Sequence, residues 1–361
     1  MVHHTVYPFN FFAKLPDLAR QNLTRQMEIQ DLILLSACSK RCALAIRISR
    51  VPPVTINIDI RSYQMEISMP SEDFTWRFES GEFEPEDIFK IKDIPVEISG
   101  DGELETVLEN NLDAAFNTAI SQILYIIPSC EFKQLYLNVA QNFPLDFRCS
   151  VALAGVSQVK EISLYGHEDP SENIKYVLEN IHATEEIVDR FQHKDTEIID
   201  KKLILTTPNV CFRNSEFLKP FNHFPSTSTQ EAYFNDVVFD EKVLIQFLKW
   251  FKSAPASELR NFKGIKWVNR NSGFEVPDLT EFGAKEGDLK LRAKYYPCGH
   301  ILCCAGNPIT IGSGRCRSHV IVTTDGLDIL RDDGLLGTIL RHHFLSIAFV
   351  VWHERFPEQP E

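Results

Sequence analysis

Nowhere in the 361-residue chain does an apolar run reach the ~18 residues that a membrane-spanning helix requires. The longest apolar stretches, at residues 123–127 and 344–352, have the length of a strand or a core helix. The amino terminus lacks the basic start and apolar middle of a secretory leader. Basic residues are in deficit, with 37 Lys and Arg against 50 Asp and Glu and a net charge of −13. A chain this acidic lacks the cationic surface that holds a phosphate backbone, so neither a nucleic-acid nor a membrane partner is expected. Paired cysteines are missing too. The nine cysteines are odd in number and scattered, which suits reduced thiols in an intracellular protein, of cytoplasm or nucleus, and not a disulfide framework. The apolar content suffices for a core. The chain is 44% hydrophobic and 24% charged, which excludes a disordered, collagen-like or low-complexity chain. At roughly 150 residues per domain, two or three structural units are expected.

Residues 1–53 differ from the rest of the chain. Phe9, Phe11, Phe12, Leu15 and Pro16 make an apolar entry, and residues 18–27 read as a short helix. Asp31 then precedes Leu32-Ile33-Leu34-Leu35-Ser36-Ala37-Cys38, followed by Lys40 and Arg41. Acid at the start and bases at the end suit one helix and its dipole. A block of about 45 residues rarely buries enough surface to stand alone. Its apolar residues point all round the helix, so it packs on the next domain or offers a face to a partner protein. After Pro53 the period becomes two, and residues 54–60, 64–69, 74–79 and 96–99 read as strands. Residues 82–93 are acidic and read as a loop or short helix, and residues 104–127 as one long amphipathic helix stopped by Pro128. Residues 54–129 thus form a strand-rich linker region with a long helix. From 130 to 361 strand-like segments at residues 132–139, 159–165, 202–206, 230–235 and 259–267 alternate with helical patterns at 174–181 and 242–253. A strand plus helix every 25–30 residues or so resembles an irregular leucine-rich solenoid, with an ordinary α/β domain as the alternative. Near the end, residues 320–323, 337–340 and 345–352 read as strands, with Asp332-Asp333-Gly334 as a hairpin turn.

Leu15-Pro16, Leu23, Met27, Asp31-Leu32, Leu35-Ser36 and Cys38 keep the spacing of an F-box. The first block resembles that motif, departing from it where Thr24 replaces a usual apolar residue and Cys42 a common Trp. Leu244-Ile245-Gln246-Phe247-Leu248-Lys249-Trp250 with Leu259 resembles the F-box-associated domain of the nematode F-box family. The ending Asp328-Ile329-Leu330-Arg331-Asp332-Asp333-Gly334, Thr338-Ile339 and Phe349-Val350-Val351-Trp352 is similar to that family's last segment. The resemblance implies an α+β or α/β chain, a small helical F-box followed by an irregular leucine-rich-like strand–helix domain. It implies a substrate-recognition subunit of a Skp-cullin-F-box ubiquitin ligase, with no catalysis, cofactor or metal of its own. Leu15, Pro16, Leu23, Met27, Asp31, Leu32, Leu35 and Ser36 would meet a Skp-type adaptor and, through it, a cullin. The apolar excess on Leu15, Leu32 and Leu35 would then be buried on assembly. The rest of the chain would hold a protein substrate, supplying proximity and not chemistry.

Competing chemistry is thinner. Cys298-Gly299-His300-Ile301-Leu302-Cys303, then Cys304, matches the middle of a RING zinc domain. A RING needs cysteine pairs on both sides, and the nearest upstream cysteine is the single Cys211. Cys316 and His319 could complete one mononuclear site with Cys298, His300 and Cys303, which keeps a zinc-binding, RING-like module as an alternative. A buried thiol cluster is the plainer reading, and a non-degradative solenoid scaffold is a further alternative. The Gly306–Gly314 stretch lacks the Lys of a phosphate loop and carries Pro308. No Gly-x-Ser-x-Gly elbow occurs. His342 and His343, as neighbours on a strand, point to opposite faces and do not share an ion.

The substrate is expected on the strand-lined surface. In residues 132–139, Lys133, Leu135, Leu137 and Val139 form the more apolar alternate set and face the core. Gln134, Tyr136 and Asn138 then face outward, joined by Ser163 and Tyr165 of the next unit. Tyrosines with amides suit a protein-binding face, through large contact area and a hydrogen-bonding tip.

Overall fold

The computed structural model describes residues 12, 14–61, 64–81, 89–99, 103–139, 147–166, 172–190, 206–212, 229–237, 240–269, 276–297, 320–342 and 346–355. The class is α+β, with helices and large mixed sheets. The chain divides into two compact units, one of Met1–Tyr165 with Glu172–Ile181, the other of Gly166–Ser171 with His182–Glu361. The helical block of residues 1–53 therefore shares a unit with residues 54–129 and the first strands beyond.

In the first unit, helices α1 (Asp17–Thr24), α2 (Ile29–Cys38) and α3 (Lys40–Ile48) precede the strands. Lys40 and Arg41, expected to close the helix begun at Asp31, instead open α3. The break is at Ser39, which is extended and whose hydroxyl accepts from the Cys42 N–H at 3.1 Å. A serine that caps an orphan N–H starts a helix better than it continues one. Strands β1 (Thr55–Ile60), β2 (Gln64–Met69) and β3 (Phe74–Ser80) bury every second side chain. Strands β4 (Phe89–Ile91), β5 (Ile94–Ile98) and β6 (Leu104–Leu108) follow, then α4 (Leu112–Ile126), β7 (Glu131–Val139), the short α5 (Cys149–Ala152), β8 (Gln158–Gly166) and α6 (Glu172–Asn180). The sheet order is β8-β7-β1-β2-β3-β6-β5-β4, with β1 parallel to β7, β3 parallel to β6, and the β1–β2, β2–β3, β5–β6 and β4–β5 pairs antiparallel.

The single long helix expected over 104–127 is corrected to a strand and a helix. Leu104 and Thr106 are buried against β3 while Glu105 and Val107 alternate outward. Asn111 then takes the left-handed conformation, φ 63°, which Asn tolerates and which ends an extended segment before the helix starts. Helix α4 covers the apolar face of the sheet, with Phe116 edge-on to Phe78 at 5.1 Å. It also holds the helical block, because Gln122 Nε2 donates to Ser36 Oγ at 2.6 Å and Ser36 in turn donates to the Ile33 carbonyl. Arg47 of α3 lies over the Tyr125 ring at 4.9 Å.

In the second unit, β9 (His182–Asp189), β10 (Asn209–Phe212), β11 (Glu231–Val237) and β12 (Gly264–Asn269) run parallel in that order. Helices α7 (Glu241–Ser253) and α8 (Ala256–Leu259) connect β11 to β12. The strand expected at 259–267 thus begins only at Gly264, its first residue closing α8. Antiparallel strands complete the sheet as β12-β18-β17-β16-β13, with β13 (Lys285–Glu286), β16 (Leu327–Leu330), β17 (Leu336–His342) and β18 (Ser346–Trp352). A separate pair joins β14 (Tyr295–Pro297) to β15 (Val320–Val322). The β16–β17 turn is the expected Asp332-Asp333-Gly334, with Gly334 at φ 87°.

The two later segments that carried the resemblance, 244–259 and 328–352, both lie in this unit. Leu244, Phe247, Leu248 and Phe251 are the buried stripe of α7. Phe247 meets Trp267 and Phe349 edge-on, each at 5.0 Å, and Phe251 meets Phe349 at 4.8 Å. A Cβ on Gly337 would collide with the Phe349 ring, so only glycine lets β17 pass here. Arg331 donates to the Phe251 and Ala254 carbonyls at the end of α7 and to Asp333, holding the Asp333 carboxyl below its usual range. Arg292, fully buried, donates to Asp328 at 2.7 Å and to the Thr323 hydroxyl and carbonyl at 2.6 and 2.8 Å. Thr338 donates to Asp328 at 2.7 Å and accepts from the Trp352 indole at 2.8 Å. The zinc-like segment 298–304 with Cys316 and His319, the Gly306–Gly314 stretch, the acidic run 82–88, residues 202–205 of the strand expected at 202–206 and His343 lie outside the described residues, and Thr206 is in a turn.

Candidate functional site

Two surfaces of the first unit concentrate what chemistry the sequence singled out. The first is the helical block. Among the residues with F-box spacing, Leu32, Leu35 and Ser36 are buried inside the chain. The apolar excess expected on Leu32 and Leu35 is not at the surface, since both side chains are buried within the chain itself. Pro16 and Asp31 are exposed, and Leu15 and Met27 are half-buried. Thr24 is buried, and its hydroxyl donates to the Arg20 and Gln21 carbonyls, both at 3.0 Å, so a polar residue sits in an apolar place without an unmet bond. Cys42 is buried as well. What the block leaves in solvent is Leu18 (71% exposed) and Leu23 (39%) on α1, and Leu44 (47%) and Ile48 (52%) on α3. Leu44 and Ile48, four apart, lie on one face of α3. Leu18, Leu44 and Ile48 were missed in the sequence. Their signal is that α1 and α3 carry more leucine and isoleucine than one buried stripe takes up.

The second surface is the polar face of the sheet, opposite α4. Leu135 and Leu137 are fully buried, while Gln134, Tyr136 and Asn138 on β7 and Ser163 and Tyr165 on β8 are half-exposed. The Tyr136 and Tyr165 rings stack at 4.9 Å, and Asn138 Nδ2 donates to the Tyr136 hydroxyl at 3.4 Å. Burial, then the neighbouring Tyr165 and Asp59, push the Tyr136 hydroxyl up. The Arg61 guanidinium lies over the Tyr136 ring at 5.5 Å and donates from Nε to Asp59 Oδ1 at 2.9 Å.

Register then lays out a row that no single strand reveals. Tyr136 stands opposite Asp59, Asp59 opposite Glu66, Glu66 opposite Arg77, Arg77 opposite Glu105, and Glu105 opposite Glu97. Arg77 is paired with Glu103 at 2.6 Å. Among the described residues Glu66 and Glu105 have no ion-pair partner. Both carboxyls are held above their usual range. For Glu66 the cause is burial, then Asp59, opposed by Arg77 and Arg61; for Glu105 it is burial, then Glu79 and Glu97, opposed by Arg77. A carboxyl raised on folding adds stability below its unfolded pKa, and that contribution is lost as pH rises through its folded value. Glu105→Gln should therefore raise the thermal midpoint at neutral pH, by the equivalent of a few tenths of a kcal/mol for one like-charge cross-strand pair. The gain should shrink as pH falls into the carboxyl range. Scanning calorimetry across that range checks it, and a gain independent of pH would contradict it.

Among the described residues, no group of three or more His, Cys, Asp or Glu is placed to hold a metal ion, and no helix is long and apolar enough to cross a membrane. In comparisons with known proteins, no family model, no curated protein and no solved structure matches the chain.

Proposed function

We propose that the chain is the substrate-recognition subunit of a Skp-cullin-F-box ubiquitin ligase, a tether that holds a target protein for ubiquitin transfer and performs no chemistry itself. The observation that carries this reading is the solvent-facing Leu18, Leu23, Leu44 and Ile48 on a helical block that keeps F-box spacing. Exposed leucines on two helices of a block anchored by its remaining apolar residues suit burial in an adaptor groove. In this reading the sequence-derived adaptor set divides by role. Leu15, Pro16, Leu23, Met27 and Asp31 contribute to the contact, with Leu18, Leu44 and Ile48 added. Leu32, Leu35 and Ser36 hold the block in shape. The parallel β9–β12 run and the β11–α7–β12 passage support a leucine-rich-like strand–helix domain later in the chain.

Gel filtration of the purified full chain with a purified Skp-type adaptor tests the proposal. The two should co-elute as a one-to-one complex at micromolar concentration. Separate elution at every ratio would contradict it.

A further inference from the structure

We propose that the polar face of the first unit's sheet binds an arginine-bearing segment of a protein substrate, seated along the row from Tyr136 and Tyr165 to Glu66 and Glu105. The inference rests on reading the chain as a substrate receptor and adds the class of substrate.

Two features argue for a cation. Two like-charge pairs stand directly across strands, Asp59 against Glu66 and Glu97 against Glu105. Opposed like charges of this kind destabilise a sheet, so a protein has reason to keep them only where something neutralises them. The face also carries Glu79 and Glu103; among the described residues Arg61 and Arg77 stand beside these six carboxylates and Lys90, opposite Pro95, stands at the edge next to Glu97, so negative charge remains in excess. Charge complementarity therefore asks for a basic occupant.

The tyrosines narrow the kind of base. The stacked Tyr136–Tyr165 pair places two rings and two hydroxyl tips beside the carboxylate row. Planar guanidinium groups stack on such rings and fork onto carboxylates, whereas an ammonium does neither as well. The face already holds one guanidinium in this way, because Arg61 bridges the Asp59 carboxylate and the Tyr136 ring. Glu66 and Glu105 are the carboxylates left for incoming arginines. Asn57, opposite Gln134 and Ser68 in the neighbouring row, and Gln134 itself present amides that suit the main chain of an extended segment.

The test is fluorescence anisotropy on the full chain, with a labelled peptide of alternating glycine and arginine as the probe. Its controls are a peptide of equal length with glutamate for arginine and one with lysine for arginine. The arginine peptide should bind saturably, the lysine peptide more weakly and the glutamate peptide not at all. Tyr136→Ser with Tyr165→Ser leaves the charge unchanged and should weaken arginine-peptide binding by about tenfold, on the scale of an aromatic hot spot. Glu66→Gln should weaken it too, and because it breaks no ion pair among the described residues it keeps the test meaningful even if the tyrosine variant misfolds. Failure of the wild-type chain to bind the arginine peptide overturns the inference. So does unchanged affinity in a folded tyrosine variant, since that is diffuse attraction to an acidic surface, and so does unchanged affinity in Glu66→Gln. Adaptor binding is measured on the same preparation. Peptide bound without adaptor overturns the ligase reading alone, and adaptor bound without peptide overturns this inference alone.

Discussion

Asp328→Ala is expected to cost the second unit about 3–5 kcal/mol of unfolding free energy. Asp328 is the only carboxylate that meets the fully buried Arg292 guanidinium among the described residues, at 2.7 Å. Removing it leaves a cation in the core and also takes away the acceptor of the Thr338 hydroxyl proton, which goes to the same carboxylate oxygen. The Thr323 contacts remain but carry no charge. A buried pair is not itself strongly stabilising, since desolvating both ions offsets most of their attraction. Hence Arg292→Met combined with Asp328→Leu should recover a large part of the loss. Three of the four tryptophans, Trp250, Trp267 and Trp352, lie in this unit, so near-ultraviolet circular dichroism in urea follows the relevant transition. A loss under about 1 kcal/mol for Asp328→Ala would mean that the guanidinium finds another partner.

Phe247→Ala should cost about as much, 3–5 kcal/mol or so, for a different reason. The ring lies between α7 and the strands, within 5.0–6.4 Å of Trp250, Phe262, Trp267 and Phe349 by centroid. Deleting it leaves a void among four aromatic neighbours, of which Trp267 and Phe349 are held by β12 and β18 and cannot collapse into it. Phe247→Leu, which keeps most of the volume, should cost well under half as much. Equilibrium urea unfolding of both variants checks the ratio, and equal losses would place the ring's importance in something other than packing. Adaptor binding by the folded fraction should persist in either variant.

Much of the strand pattern was legible because one face of each sheet is buried. In β1, β2 and β3 the alternation is so regular that the expected and observed bounds nearly coincide. Residues 104–127 were not legible as two elements, because Leu104, Val107 and Leu108 also satisfy a helical spacing with Leu112. Residues 109–111, ending in the left-handed Asn111, separate them. Strand β9 escaped notice because Glu185 and Glu186 interrupt its alternation. On the candidate surfaces, the outward set of β7 followed from period two alone. The charged row did not, since it exists only through the register of five strand pairs. Nor could the sequence say that Ser36 would be taken up by Gln122, 86 positions away. That bond ties Ser36 to α4 and takes it out of solvent.

The most direct test of the ligase reading is adaptor affinity in Leu18→Gln with Leu44→Gln. Both side chains are largely in solvent, and Gln is nearly as good a helix former as Leu, so the thermal midpoint should move by no more than about 0.5 kcal/mol equivalent. Isothermal titration of the full-length double variant with a purified Skp-type adaptor should show affinity at least about tenfold weaker than the parent chain, some 1.4 kcal/mol or more. Adaptor affinity equal to the parent's, at an unchanged melting midpoint, would contradict the assignment of this helical face to the ligase.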